Sequence, residues 1–434
     1  MSKIFDAAHY DTRLCKGHAG LSAANMARRR RAVRIGLCLA GAALICRVED
    51  TAAQVVTQAP TASPHAKSKA TECSISAQLT PQERALIDMK PDSWLEARDT
   101  RFREFCKDTP QTEAVSGCAV LLEGAYSGGA LDTKRQKMLI WGGGHNAYYG
   151  NEVYGFDIPS SRWEKLSETS EPVPCRGSTG IADPGPDGRP TSRHTYDGLI
   201  YHPKLDALFA VGGAMICLGT QTWLTWTFDL QSRKWRNMAP KPELERNGFG
   251  SYNFTSAYDT RRDLVLLRNI AGVFTFDAAA NAWTRRDNFG QGADWMVESE
   301  MGYRRARGVF LPARGVFLTF GGGKQVAFDT KMNRRVTSEW QTTGGDAIIN
   351  WHAPGADYDP TTDSVVAWAG GAPYELNLSS KVWQKLKSPA PVTPVKEDGI
   401  FGRWRYVPKY NVFVAVANSS QNVAFYKHTA GCGD

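Results

Sequence analysis

The chain has 434 residues, 42% of them apolar and 11% aromatic, with 13 Trp, 41 Gly and 22 Pro. That supply of core and turn formers excludes a disordered chain. The formal charge of +8 suggests nucleic acid or membrane until it is located: residues 1–53 hold nine Lys or Arg against four Asp or Glu, leaving 43 against 40 elsewhere. A scattered excess of this kind lacks the basic face of a nucleic-acid binder, so no nucleic-acid partner is expected.

Met26-Ala27-Arg28-Arg29-Arg30-Arg31 precedes an apolar stretch from Ile35 to Cys46 and then Thr51-Ala52-Ala53. A basic start, an apolar span too short for a bilayer and a small-residue cleavage site together read as a secretory signal. The expectation is a leader over residues 1–53 with Met26 as its true start, a periplasmic or extracellular destination, and no transmembrane segment in the mature chain. Residues 54–72, rich in Ala, Thr, Ser, Pro and Lys, have the composition of a disordered linker. Residues 73–434 are then a single domain, expected as a monomer. Six Cys follow the leader, Cys73, Cys106, Cys118, Cys175, Cys217 and Cys432. In an exported chain they suggest up to three disulfides, whose pairing the spacing leaves open, and none of the spacings is that of a zinc knuckle or redox pair.

A repeat runs through that domain. Its unit is an apolar strand, a Gly pair, a strand ending in Phe-Asp, and a Trp seven residues after the Phe: Phe156-Asp157 with Trp163, Phe228-Asp229 with Trp235, and Phe276-Asp277 with Trp283. Phe328-Asp329 with Arg335 and Leu376-Asn377 with Trp383 are weaker copies. Successive last positions differ by 72, 48, 52 and 48 residues, and the long step contains the Gly- and Pro-rich stretch from Glu171 to Pro190. Each unit reads as four short strands, for example Gly198 to His202, Ala207 to Val211, Leu224 to Leu230 and Lys234 to Met238. That is one blade of a β-propeller. The units begin near Ala125, Arg193, Ser251, Glu300 and Asn350, and Gly402 to Tyr426 supplies three strands of a sixth. Asp92-Ser93-Trp94-Leu95 is similar to Ser161-Arg162-Trp163-Glu164 and supplies the missing strand, so that the N-terminal strand closes the ring. Six blades are favoured over seven.

Leu139-Ile140-Trp141-Gly142-Gly143-Gly144 through Phe156-Asp157 and Trp163, with Phe209-Ala210-Val211-Gly212-Gly213, resembles the Kelch repeat, as in the central domain of galactose oxidase. The resemblance spans about residues 92 to 428. It implies an all-β, Kelch-type β-propeller with four antiparallel strands per blade, a fold that serves enzymes and passive binders alike.

In such a blade the connection from the previous blade and the loop between the second and third strands emerge at one end. That end is expected to receive His145, Asn146, Tyr148, Tyr149 and Asn151 after Gly144, and Arg193, His194 and Tyr196 at the start of the second blade. It also receives Asn247, Tyr252 and Asn253, then Glu298, Glu300 and Tyr303, then Asn350 and His352, and finally Arg403, Arg405 and Tyr406. Taken singly, each reads more readily as a structural residue than as a functional one. Their convergence from several blades is what a polar site requires.

Three functions fit the pattern. One is a polysaccharide lyase on uronate-containing glycans, in which an Arg neutralises the carboxylate while His or Tyr moves the proton. The residue set is similar in kind to that of the propeller-fold ulvan lyases. In this reading His145 and His194 transfer protons or bind the carboxylate, Tyr196 acts as base or acid, and Arg193 or Arg405 neutralises. Asn146, Tyr149, Asn151, Tyr252, Glu300, His352 and Arg403 line the substrate, and Trp295, Trp351 and Trp404 stack sugars. The alternative is a non-catalytic propeller that binds glycan or protein. Less favoured is a copper enzyme like galactose oxidase, since Trp351-His352 stands where that chemistry wants Tyr-His. No cofactor is required by the sequence, although His145, His194 and His352 could hold a divalent metal.

Overall fold

The computed structural model describes residues 78–108, 117–144, 148–171, 182–217, 219–238, 254–269, 272–287, 306–396 and 398–431. Blade 1 is built from Gly129–Asp132, Lys137–Ile140, Tyr154–Asp157 and Arg162–Lys165, and blade 2 from Leu199–His202, Ala207–Val211, Thr225–Asp229 and Lys234–Asn237. Blade 3 uses Phe254–Asp259, Leu264–Asn269, Gly272–Asp277 and Ala282–Arg285, and blade 4 uses Arg307–Leu311, Val316–Gly321, Lys324–Asp329 and Arg334–Arg335. Blade 5 comprises Gly355–Asp359, Ser364–Trp368, Tyr374–Asn377 and Val382–Lys385. Trp404–Val407, Val412–Ala415 and Ala424–Lys427 make three strands of blade 6, and Ser93–Glu96 pairs antiparallel on their outer side with Trp94 opposite Tyr426. The first strands of the six blades neighbour one another in a closed cycle around a channel. No helix among the described residues is long and apolar enough to cross a membrane.

The seven-residue spacing of the repeat is a matter of register. Phe156 lies directly opposite Trp163, Phe228 opposite Trp235 and Phe276 opposite Trp283, with ring centroids 5.1, 5.2 and 5.2 Å apart. Cross-strand aromatic pairs of this kind are the unit of sheet stabilisation. The Asp after each Phe ends the third strand and accepts the backbone N–H groups of the turn, as Asp277 does from Ala279 at 2.9 Å and Ala280 at 3.1 Å. Blade 4 departs from the pattern because its last strand has only two residues, with Arg335 opposite Phe328. Trp340, from the short 3-10 helix Thr337–Trp340, packs instead on the other face of the blade, in the core shared with blade 5, while Phe328 faces blade 3.

A second repeat lies in the turn between first and second strands. Tyr201, Tyr258, Tyr358 and Tyr406 donate their hydroxyls to the residue five positions on, Asp206, Asp263, Asp363 and Asn411. All four acceptors hold positive φ, between 49° and 60°. Short polar side chains that tolerate this conformation and bond locally are what the turn demands. Outside the ring, Cys106 and Cys118 form a disulfide. Cys217 is also disulfide-bonded.

His428, behind blade 6, makes an ion pair with Asp359 at 2.7 Å and a longer one with Glu375 at 3.7 Å. Burial opposes its charge, but the two carboxylates outweigh burial and lift its imidazolium to about 9. A folded pKa above the unfolded one means that the stabilisation is whole below about pH 6.5 and lost as pH rises towards 9, up to roughly 3 kcal/mol. The neighbouring Lys427 runs the other way, since burial lowers its ammonium to about 8 and its penalty is relieved above that pH. The measurement is therefore a difference. Between about pH 6 and pH 9 the gap in urea midpoint between wild type and His428→Gln should narrow. A gap independent of pH would contradict the ion pair.

Candidate functional site

The loop after the second strand of blade 1 and the segment leading into blade 2 meet at one end of the channel, as the blade topology requires. Gly142, Gly143 and Gly144 have φ of 154°, 122° and 79°. A Cβ on Gly144 would lie 2.2 Å from the His194 amide nitrogen, so the close approach needs glycine there. Ser192 braces the loop, accepting from the Gly144 amide at 3.0 Å and donating to the Tyr148 carbonyl at 2.6 Å.

His194 is 3% exposed. Its Nδ1 lies 2.7 Å from the Ala125 carbonyl and 2.7 Å from the Gly143 carbonyl. Two acceptors at one ring nitrogen require that nitrogen to carry the proton, which leaves the lone pair of the neutral ring on Nε2. This is how a histidine is oriented as a base or as a ligand. The rings of Tyr126 and Tyr196 stand 5.1 and 5.8 Å from the imidazole and 5.8 Å from each other, and Phe401 closes the group 6.0 Å from Tyr196.

Three of these aromatics hold strained backbone. Tyr126, Tyr196 and Phe401 have φ of 48°, 46° and 50°, and Ala353, at the start of blade 5, has 45°. A bulky side chain at positive φ costs about 1–2 kcal/mol, and such outliers concentrate at functional sites. The strain turns the chain at the start of blades 1, 2, 5 and 6 and brings the three rings into one largely buried cluster.

The turn at Tyr196 also drops Asp197 into the channel. Its Oδ2 accepts the amides of Ser256 at 3.1 Å and Gly308 at 2.9 Å, from the first strands of blades 3 and 4, and its Oδ1 meets the Arg307 guanidinium. Both side chains are 1% exposed. This buried plug ties the start of blade 2 to the first strands of blades 3 and 4.

The sequence matches no protein-family model and no curated protein. Chemistry must therefore be read from placement.

His194 and Tyr196 come together as expected. Arg193 is beside them in sequence but is ion-paired with Asp183 at 2.7 Å, donates to the Thr191 carbonyl and lies over the Trp141 ring. Arg403 is spent on the carbonyls of Ser127, Gly399, Val416 and Ala417, stapling blade 6 to blade 1. Arg405 lies below the Asp197 plug. Trp404 is wholly buried, donating to the Val366 carbonyl and stacked between Phe413 and Trp368. Asn151 holds Ser170 and the Pro190 carbonyl, and Tyr149 packs on Ile216 and Cys217. His352 is half-buried beside Trp351, whose ring lies under the Lys396 ammonium. His145, Asn146, Asn247, Tyr252, Asn253, Trp295, Glu298, Glu300 and Tyr303 fall outside the described residues. Among the described residues no group of three or more His, Cys, Asp or Glu is placed to hold a metal.

Sequence reasoning missed Tyr126, Asp197 and Asp183. Tyr126 stands three residues before its first strand, as Tyr196 and Phe401 do before theirs, so aligning the blade starts would have found it. It also missed a buried acid: Tyr148 donates to Glu152 at 2.9 Å, and burial pushes the Glu152 carboxyl up.

Proposed function

We propose that this chain is an exported, Kelch-type propeller that acts on uronate-containing polysaccharide by β-elimination at the upper mouth. His194 is the base. With Nδ1–H held by two carbonyls, its Nε2 takes the proton α to the uronate carboxylate; the electron pair forms the carbon–carbon double bond and the bond to the glycosidic oxygen breaks. Tyr196, in ring contact with His194, returns a proton to the departing oxygen. The observation that carries the reading is the clamp on Nδ1. Export draws support from the Cys106–Cys118 disulfide, a bond that persists in oxidising compartments.

A second reading, a non-catalytic glycan-binding mouth, is favoured by one observation: Arg193 and Arg403 are already committed within the fold, whereas a lyase must neutralise the substrate carboxylate.

The test is a panel of acidic polysaccharides incubated with the purified chain, followed by ultraviolet absorbance for the unsaturated uronate. The lyase reading expects product from at least one uronate polymer and none from that polymer after carboxyl reduction. Saturable binding without product would establish the second reading instead.

A further inference from the structure

The channel has a second opening, at the end away from His194. Its rim is the residue that follows the first strand of each blade: Thr133, Pro203, Thr260, Pro312, Pro360 and Pro408. Behind the rim is a cavity of about 300 Å3, at the small end of the range for ligand sites. Its wall is apolar, with Leu131, Ile200, Val309 and Phe310. Its floor is charged.

The floor groups differ in how far they are already used. Arg307 is committed to Asp197 and to the Ala356 carbonyl. Arg405 donates from Nε to the Gly402 carbonyl at 3.2 Å and from Nη2 to the Gly129 carbonyl at 3.4 Å, while its Nη1 stands 3.9 Å from Oδ2 of Asp357. That ion pair is too long for a hydrogen bond. Asp357 accepts the amides of Tyr358 at 3.0 Å and Tyr406 at 3.1 Å, two of about four positions that a carboxylate offers. Its side chain is 25% exposed and that of Arg405 14%. A guanidinium donor and a carboxylate acceptor therefore sit side by side with capacity to spare, at the bottom of an apolar pocket too small for a polymer.

A simple anion at Arg405 would be repelled by Asp357, and a simple cation at Asp357 by Arg405 and Arg307. A molecule carrying both charges on neighbouring atoms satisfies both groups. We propose that the lower opening binds a small zwitterion of the α-amino-acid type, its carboxylate on Arg405, its ammonium on Asp357 and its apolar side chain against Leu131, Ile200, Val309 and Phe310. The site is independent of the reading given for the upper mouth.

The experiment is isothermal titration of the full chain with L-leucine, with isoamylamine, which lacks the carboxylate, and with 4-methylpentanoate, which lacks the amine. Leucine should bind saturably, and each analogue should bind at least about tenfold more weakly, the loss of one charge-assisted contact. Arg405→Met should weaken leucine by a similar factor. Because that substitution alters the channel wall, Thr133→Trp is the companion: Thr133 is an exposed turn residue, the charged floor is untouched, and the new ring obstructs the opening. No saturable binding of leucine, valine or methionine to wild type overturns the proposal. So does 4-methylpentanoate binding as tightly as leucine, or leucine binding undiminished in Thr133→Trp.

Discussion

Asp197→Ala should lower the stability of the propeller by about 3–5 kcal/mol, the usual result of removing one partner from a buried ion pair. Two features set the size of the effect. The carboxylate and the Arg307 guanidinium are both 1% exposed, so the remaining cation is left largely buried without its counter-charge. The amides of Ser256 and Gly308 lose their acceptor at the same time. The Ser256 hydroxyl donates to the Asp197 main-chain carbonyl, a bond that the substitution keeps, so the loss comes from the side chain alone. Urea unfolding of the variant beside Arg307→Met,Asp197→Leu is the informative comparison. An apolar replacement of both partners should recover the part of the loss that comes from the unpaired cation, while the Ser256 and Gly308 amides stay without their acceptor. A loss under about 1 kcal/mol in Asp197→Ala would mean that the plug is not a structural element.

The second large effect concerns activity. His194→Asn should reduce the rate of unsaturated-uronate formation by about 10²–10⁴-fold, the contribution of a positioned proton-transfer group. The choice of asparagine matters. Its side-chain nitrogen takes the place of Nδ1 and can still donate to the Ala125 and Gly143 carbonyls, while nothing replaces Nε2. His194→Ala would leave both carbonyls without their donor and add a stability loss of about 1–3 kcal/mol. His194→Asn should therefore bind polymer and unfold much as the wild type does while losing turnover. Retained turnover in that variant would remove His194 from proton transfer.

The ring was legible because its signals are local. Phe156 and Trp163 are seven residues apart and face each other across one turn, so register alone creates the repeat, and Arg335 marks a weak copy because its strand is two residues long. The blade topology likewise placed Gly143 beside His194, 51 residues apart. What could not be read was which polar side chains the fold would consume. Arg193 and Arg403 have the chemistry of carboxylate binders in any sequence; only the carbonyls that surround Arg403 and the aspartate opposite Arg193 reveal that their donors are spent. Trp404 is similar, since an aromatic at a blade start reads alike whether it lies over a sugar or between Phe413 and Trp368. Asp197 was invisible for a different reason: Arg307, its partner, is 110 residues on.

The most direct test of His194 as the base is its tautomer, read by long-range proton–nitrogen correlation on histidine-labelled protein at neutral pH, with the His194→Asn variant identifying the signal. The clamp between the Ala125 and Gly143 carbonyls predicts a proton on Nδ1, and the role of base requires Nε2 to carry the lone pair. A ring protonated on Nε2 would place a lone pair against two carbonyl oxygens and contradict the site as described.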